Sequence, residues 1–289
     1  MHIYLNGHIV KQEEAKISPF DHGYMYGLGL FETFRIYNGH PFLFDDHLER
    51  LKDGLEQLNI HWEMSRNKII SILDNLLEAN HLSDAYVRMN ISAGIGEVGL
   101  QTYDYIDPTM IVYMKPIKEA VMIEKEAVIL QTARNTPEGH YRLKSHHYLN
   151  NIIGKRELGD DFTKEGIFLT KEKFLAEGIV SNLFWVKNDA VFTPSLETGI
   201  LNGITREIIK ELLSINKIKL NEGCYKVADL LTSNEVFVTN SIQEIVPINK
   251  IGDISFSGSQ GSITMQLKQQ YSQLTTSLWS RKELEERIV

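Results

Sequence analysis

The chain has 289 residues, 43% hydrophobic and 24% charged, and a formal net charge of −8. That is the composition of an ordinary globular protein, long enough for about two domains of roughly 150 residues each. The acidic balance argues against general affinity for nucleic acid, and the single cysteine, Cys224, leaves no intrachain disulfide and fits a reducing compartment. Residues 1–10 alternate apolar and polar side chains, without the charged start and apolar run of a signal peptide. No window approaches the roughly 20 apolar residues of a membrane span, so a cytoplasmic location is expected.

Taken in order, Ile3-Tyr4-Leu5 and His8-Ile9-Val10 flank Asn6-Gly7 and predict a hairpin. Ser18-Pro19 starts a loop ending in the glycine-punctuated stretch 23–29. This stretch precedes a strand instead of opening a helix, so it is neither a dinucleotide fingerprint nor a Walker loop. Residues 31–37 read as a strand, Asn38-Gly39 as a second hairpin turn, and 42–44 as its return. Residues 45–57 and 69–79 have helical periodicity, with Leu48, Leu51, Leu55 and Leu58 on one face of the first. Strands are predicted at 85–93, 110–114, 127–132, 166–170, 182–186, 190–193 and 235–239. Helices are predicted from Lys144 to Leu158, over 204–213, and over a polar 263–286. The predicted organisation is a small α/β domain over 1–116, a linker at 117–126 and a larger domain over 127–289.

Three segments carry candidate chemistry. In Tyr141-Arg142-Leu143-Lys144, the arginine two residues before the lysine shares its face if the segment is extended, and a cation neighbour frees an amine for imine formation. Glu177 stands between apolar neighbours ahead of a strand, where a buried carboxylate needs a cationic or proton-donating partner. Asn202-Gly203-Ile204-Thr205-Arg206 runs into a helix whose first N–H groups, with the threonine hydroxyl, make an anion site. Thr239-Asn240-Ser241 could complete that cup. No Cys/His cluster has zinc spacing, and His146-His147, adjacent on a predicted helix, would point about 100° apart. No metal site is expected.

Together these segments resemble the class IV pyridoxal-phosphate enzymes, which include branched-chain and D-amino-acid aminotransferases and aminodeoxychorismate lyases. Further matching stretches are Tyr4-Leu5-Asn6-Gly7, Ser18-Pro19-Phe20-Asp21-His22-Gly23, Gly27-Leu28-Gly29-Leu30-Phe31-Glu32-Thr33 and His47-Leu48-Glu49-Arg50-Leu51. The resemblance implies a two-domain α/β fold, the D-amino-acid-aminotransferase-like fold type IV, with the cofactor in the cleft between the domains. It implies that Lys144 binds pyridoxal 5′-phosphate covalently and Glu177 meets the pyridine nitrogen. Arg50, Ile204, Thr205 and the Asn240-Ser241 pair would hold the phosphate. Where many members have Asn three residues after the lysine, this chain has His147.

Within the family, residues 31–35 and 142–151 are most similar to aminodeoxychorismate lyases of Gram-positive bacteria. D-amino-acid aminotransferases carry a Tyr at the Phe31 position, whose hydroxyl helps hold the substrate carboxylate. Thr33 matches a lyase threonine assigned a proton-handling role. The implied activity is a carbon–oxygen lyase making 4-aminobenzoate and pyruvate from 4-amino-4-deoxychorismate in folate biosynthesis, in a homodimer. Arg88 and Arg142, with Arg35 third, are candidates for the substrate's two carboxylates. The alternative is a D-amino-acid or branched-chain aminotransferase on the same scaffold. A non-catalytic binding protein would leave Lys144 and Glu177 idle.

Overall fold

The computed structural model describes residues 1–117 and 124–286; residues 118–123 of the expected linker lie outside them. The chain forms two compact units that are not consecutive in sequence. One comprises Met1–Lys118, Leu143–His147 and Thr275–Val289, and the other Glu119–Arg142 and Tyr148–Leu274. No helix among the described residues is long and apolar enough to cross a membrane.

The first unit contains β1 (His2–Leu5), β2 (His8–Lys11), α1 (His22–Tyr26), β3 (Gly29–Tyr37), β4 (His40–Pro41), α2 (Phe44–Gln57), α3 (Arg66–Asn80), β5 (Ala85–Ser92) and β6 (Thr109–Pro116). Its sheet runs β2-β1-β6-β5-β3-β4. Asn6 and Gly7, like Asn38 and Gly39, take positive φ at both turn positions, as two-residue hairpins require. The expected return strand at 42–44 is not formed: the return is β4, two residues earlier, because Leu43 turns left-handed (φ 53°) and Phe44 already opens α2. The short helix α1 was not foreseen. Asp21 caps it by accepting from Gly23 N at 2.7 Å, and Gly27 ends it at φ 68°. Side-chain alternation along β3 sends Leu30, Phe34 and Ile36 into a core shared with Val87, Met89 and Val112 and with the apolar faces of α2 and α3.

No side chain caps α2. Its entry is instead met by a distant strap, residues 275–281. Leu43 N donates to Leu278 O and Asp45 N to Trp279 O, both at 3.0 Å, and Asp46 Oδ2 accepts from Arg281 N at 2.8 Å. The expected helix over 263–286 is therefore interrupted, resuming only as a short turn of helix at Lys282–Glu286.

The lysine segment is also not helical. It lies along the edge of β3, where Phe31 N donates to Lys144 O (2.9 Å) and His146 N donates to Gly29 O (3.0 Å), around a Leu30–Ser145 bridge. On this side β4 pairs only with Ile36 and Tyr37, leaving ladder groups that need partners. That demand overrides helical periodicity.

The second unit contains β7 (Lys125–Ile129), α4 (Leu149–Leu158), β8 (Lys164–Leu169), β9 (Leu175–Gly178), β10 (Asn182–Lys187), β11 (Ala190–Pro194), α5 (Ile204–Ile215), β12 (Leu220–Gly223), α6 (Val227–Leu231), β13 (Glu235–Asn240), β14 (Glu244–Ile251), β15 (Ile254–Ser255) and α7 (Ser262–Leu274). Its nine-stranded sheet runs β12-β11-β10-β13-β14-β7-β8-β9, with β15 beside β14. Trp185, Leu183, Val236, Val238 and Ile248 build the core on one face. Strand β14 escapes a sequence reading because Pro247, a residue rare inside sheets, sits within it opposite Phe237.

Gly29 is where the lysine segment is admitted. A Cβ there would stand 2.6 Å from both Ile91 O and the His146 ring. Gly29→Ala is expected to cost about 1–3 kcal/mol, as overpacking does, read as a lowered urea midpoint at unchanged slope.

Candidate active site

In the first unit, Phe31, Thr33 and Arg35 face the side of β3 opposite the core. Register extends this face across three strands. Thr33 pairs with Arg88 and Arg88 with Tyr113; Arg35 pairs with Tyr86 and Tyr86 with Lys115. Phe31 is the buried centre. The Arg88 guanidinium lies 3.6 Å and Lys144 Nζ 4.7 Å from its ring centroid, and the His146 ring stacks on it at 6.3 Å. A ring face attracts cations, so one phenyl group orders both an amine and a guanidinium. Arg88 is steered further by Nε donating to Asn90 Oδ1 at 2.9 Å. Burial, reinforced by Arg88, pulls the His146 imidazole down to about 4, and its Nε2 is buried without a hydrogen-bond partner.

The two adjacent histidines have separate tasks. His147 Nε2 sits 3.0 Å from Tyr26 O and its ring packs over Gly27, pinning the loop that leads into β3. On the core face of β3, Glu32 accepts from Arg50 Nε (2.8 Å), Arg50 NH2 (2.6 Å) and the His47 ring (2.7 Å). Burial alone would raise the Glu32 carboxyl, but the Arg50 charge and the His47 hydrogen bond outweigh it and hold it at about 2.

In the second unit, Glu177 is buried at the end of β9. Its Oε1 accepts from Arg134 Nε at 2.8 Å, and its Oε2 accepts from Leu201 N at 3.0 Å, with Asn182 Nδ2 at 3.5 Å. Arg134 is held in turn by Asn150 Oδ1 at 2.7 Å. Arg142 lies 3.8 Å from Glu177 but donates through Nε to Gly199 O (2.6 Å) and through its two terminal nitrogens to Asn135. Burial, then the neighbouring Arg134, lowers it to about 10 against the pull of Glu177.

Ile204 and Thr205 open α5, whose N-terminus has no side-chain cap. Thr205 Oγ1 and Ser241 Oγ are 3.2 Å apart. The Asn240 side chain accepts from Ile242 N and Gln243 N, so it shapes the turn that presents Ser241. Among the described residues no group of three or more His, Cys, Asp or Glu could hold a metal ion.

A family model described as amino-transferase class IV matches residues 29–251. The chain is 46% identical to an aminodeoxychorismate lyase of Bacillus subtilis, over 93% of each chain. The chain belongs to the class IV aminotransferase family. It is also 28% identical to a D-alanine aminotransferase of Bacillus licheniformis, over 91% of this chain and 93% of that one. The branched-chain aminotransferase of Escherichia coli has the same fold, with a TM-score of 0.86 at 27% identity over 96% and 95% of the two chains.

Beside the residues singled out by motif, the structure places partners to which the sequence assigns no role. Arg134 is one; it lies in a polar loop with no periodicity to mark it. Glu32 and His47, the partners of Arg50, are two more, and they had a visible signal: a charged residue inside an apolar strand, with histidine and arginine three apart on a helix face.

His146 makes a pH dependence measurable. Its folded pKa of about 4 lies below the ordinary 6.5, so between those values the unfolded chain binds a proton that the folded one refuses. Stability is then fully present above pH 6.5 and is lost as pH falls toward 4. His146→Gln should flatten this slope by at most about 1.4 kcal/mol per pH unit, compared by urea unfolding at pH 7 and pH 5. His47, also lowered by burial, stays in both proteins, so the difference isolates His146.

Proposed function

We propose that this protein is an aminodeoxychorismate lyase, converting 4-amino-4-deoxychorismate to 4-aminobenzoate and pyruvate in a cytoplasmic homodimer, a step toward folate. The observation that carries the reading is the 46% identity to the Bacillus subtilis lyase across 93% of both chains. The character of the β3 face supports it. Phe31 offers no hydroxyl there, and its neighbours are cations and small hydrogen-bonding groups suited to a dicarboxylate.

The residues present fit pyridoxal 5′-phosphate. The uncapped start of α5 and the Thr205–Ser241 hydroxyl pair suit a phosphate dianion, and Arg50 is assigned to the same group. Glu177, with its carboxylate fixed by Arg134 and Leu201 N, would face the ring nitrogen. Lys144 would hold the cofactor covalently. Bound, the cofactor supplies an electron sink conjugated to the substrate's nitrogen.

The chain's own residues supply the rest. Lys144 Nζ, as a free amine, would remove the proton from the carbon bearing nitrogen. Expulsion of the enolpyruvyl oxygen leaves an aromatic ring, which makes the step effectively irreversible. The Thr33 hydroxyl delivers a proton to the departing enol, whose methylene becomes the methyl of pyruvate. Arg88 holds a carboxylate beside Phe31, with Arg142 the second candidate and Arg35 the third. Because Arg142 already donates to Gly199 and Asn135, Arg88 is the stronger assignment. For the homodimer, the supporting feature is a run of exposed apolar side chains on the first unit, Ile95, Val98, Leu100, Tyr103 and Ile106, of the kind that marks interaction surfaces.

Two measurements test the reading. Borohydride should bleach the imine absorbance of the purified protein and leave its adduct on the peptide containing Lys144; an adduct on another lysine would falsify the assignment. Wild type should form 4-aminobenzoate, followed by fluorescence, much faster than it transaminates D-alanine or leucine. Thr33→Ala should lose lyase rate with its cofactor spectrum intact. If amino acids prove the better substrates, the protein is an aminotransferase on this fold.

A further inference from the structure

Glu32 sits on the core face of β3, flanked by Leu30 and Phe34 and 1% exposed. A carboxylate in that position is costly to desolvate, and an apolar trio packed in place of a buried ionic group is often neutral or stabilising. What the cluster gives in return is order. Arg50 reaches Glu32 through both Nε and NH2, at 2.8 and 2.6 Å, a fork that fixes the plane of the guanidinium. His47 holds the shared oxygen Oε2 at 2.7 Å from the same face of α2. Burial keeps the imidazole below its usual pKa, so at neutral pH it is an uncharged donor to Glu32 and adds no competing cation.

We propose that Glu32 is a positioning residue: its fork to Arg50, steadied by His47, sets the guanidinium in the orientation that receives the cofactor phosphate. This rests on the assignment of Arg50 to the phosphate made above. The rival account is that Glu32 merely balances the Arg50 charge. The two differ for Glu32→Asp, which keeps the charge but withdraws the carboxylate by one methylene.

The experiment compares two probes on the apoprotein, pyridoxal 5′-phosphate and pyridoxal. Both carry the aldehyde that reacts with a lysine; only one carries phosphate. Glu32→Gln and Glu32→Asp should weaken pyridoxal 5′-phosphate by roughly tenfold or more, the scale of a hydrogen bond to a charged group. Pyridoxal affinity should change less than about threefold, within the error expected for a remote contact. His47→Leu should give a smaller loss of the same phosphate-selective kind. Should the Gln variant fail to fold, the Asp and His47 variants carry the comparison. An Asp variant equal to wild type for both probes would leave charge balance as the whole role and overturn the proposal. Equal weakening for both probes would mean general damage to the fold and would also overturn it. A wild type that binds both probes equally well would remove the phosphate site itself, and with it both the assignment of Arg50 and this proposal.

Discussion

The pairing of residues 144–146 with the edge of β3 is the contact on which the rest of the first unit's chemistry depends. Two backbone hydrogen bonds, Phe31 N to Lys144 O and His146 N to Gly29 O, fix the lysine backbone to a strand that has three distinct surfaces. One face presents Phe31 and Thr33, the other inserts Glu32 among the core side chains, and the edge receives Lys144. A one-residue slip would exchange the two faces. It would put a carboxylate beside the amine and a phenyl ring against Arg50. The register with β5, continuous from Gly29–Ser92 to Ile36–Ala85, is therefore a chemical constraint as much as a folding one.

Buried charge is used in a consistent way in both units. Glu32 with Arg50, Glu177 with Arg134, and Arg206 with Glu222 and Glu207 each combine an ion pair with further hydrogen bonds. Arg206 is wholly enclosed and also donates to Asn202 Oδ1 and Pro194 O, so it ties the turn before α5 to the end of β11. Losing one partner of such a pair typically costs about 3–5 kcal/mol, far more than a surface pair is worth. These residues restrict the orientation of a neighbour, and each cluster includes a segment singled out for chemistry.

Much of this was legible in the sequence, and the failures have physical causes. Short turns with two positive-φ positions announced themselves through Asn6-Gly7 and Asn38-Gly39. Amphipathic helices did so through leucine spacing, as in α2. Strand β14 was hidden by Pro247, and β9 by its length of four residues. The lysine segment was misread because its local pattern is helical, while the unpaired edge of β3 lies more than a hundred residues away. In the site, Lys144, Glu177 and Thr205 stood out by motif. Arg134 did not, since only the folded chain brings it to Glu177. His146 and His147 looked equivalent, and only the structure turns one toward Phe31 and the other toward Tyr26.

The strap over α2 bears on how the chain is assembled. The helix that carries His47 and Arg50 has its entry satisfied by residues 278–281, and the strand beside it is completed by residues 144–146. As the polypeptide emerges from the ribosome, the first unit begins to form with its helix entry unmet and one strand edge bare. The edge stays bare until residues 144–146 are made, and the helix entry stays unmet until the whole second unit has followed. Order of synthesis and order of completion are thus opposed: the part of the molecule translated first is the part finished last, and a nascent chain must keep that open edge from pairing with a stranger in the interval.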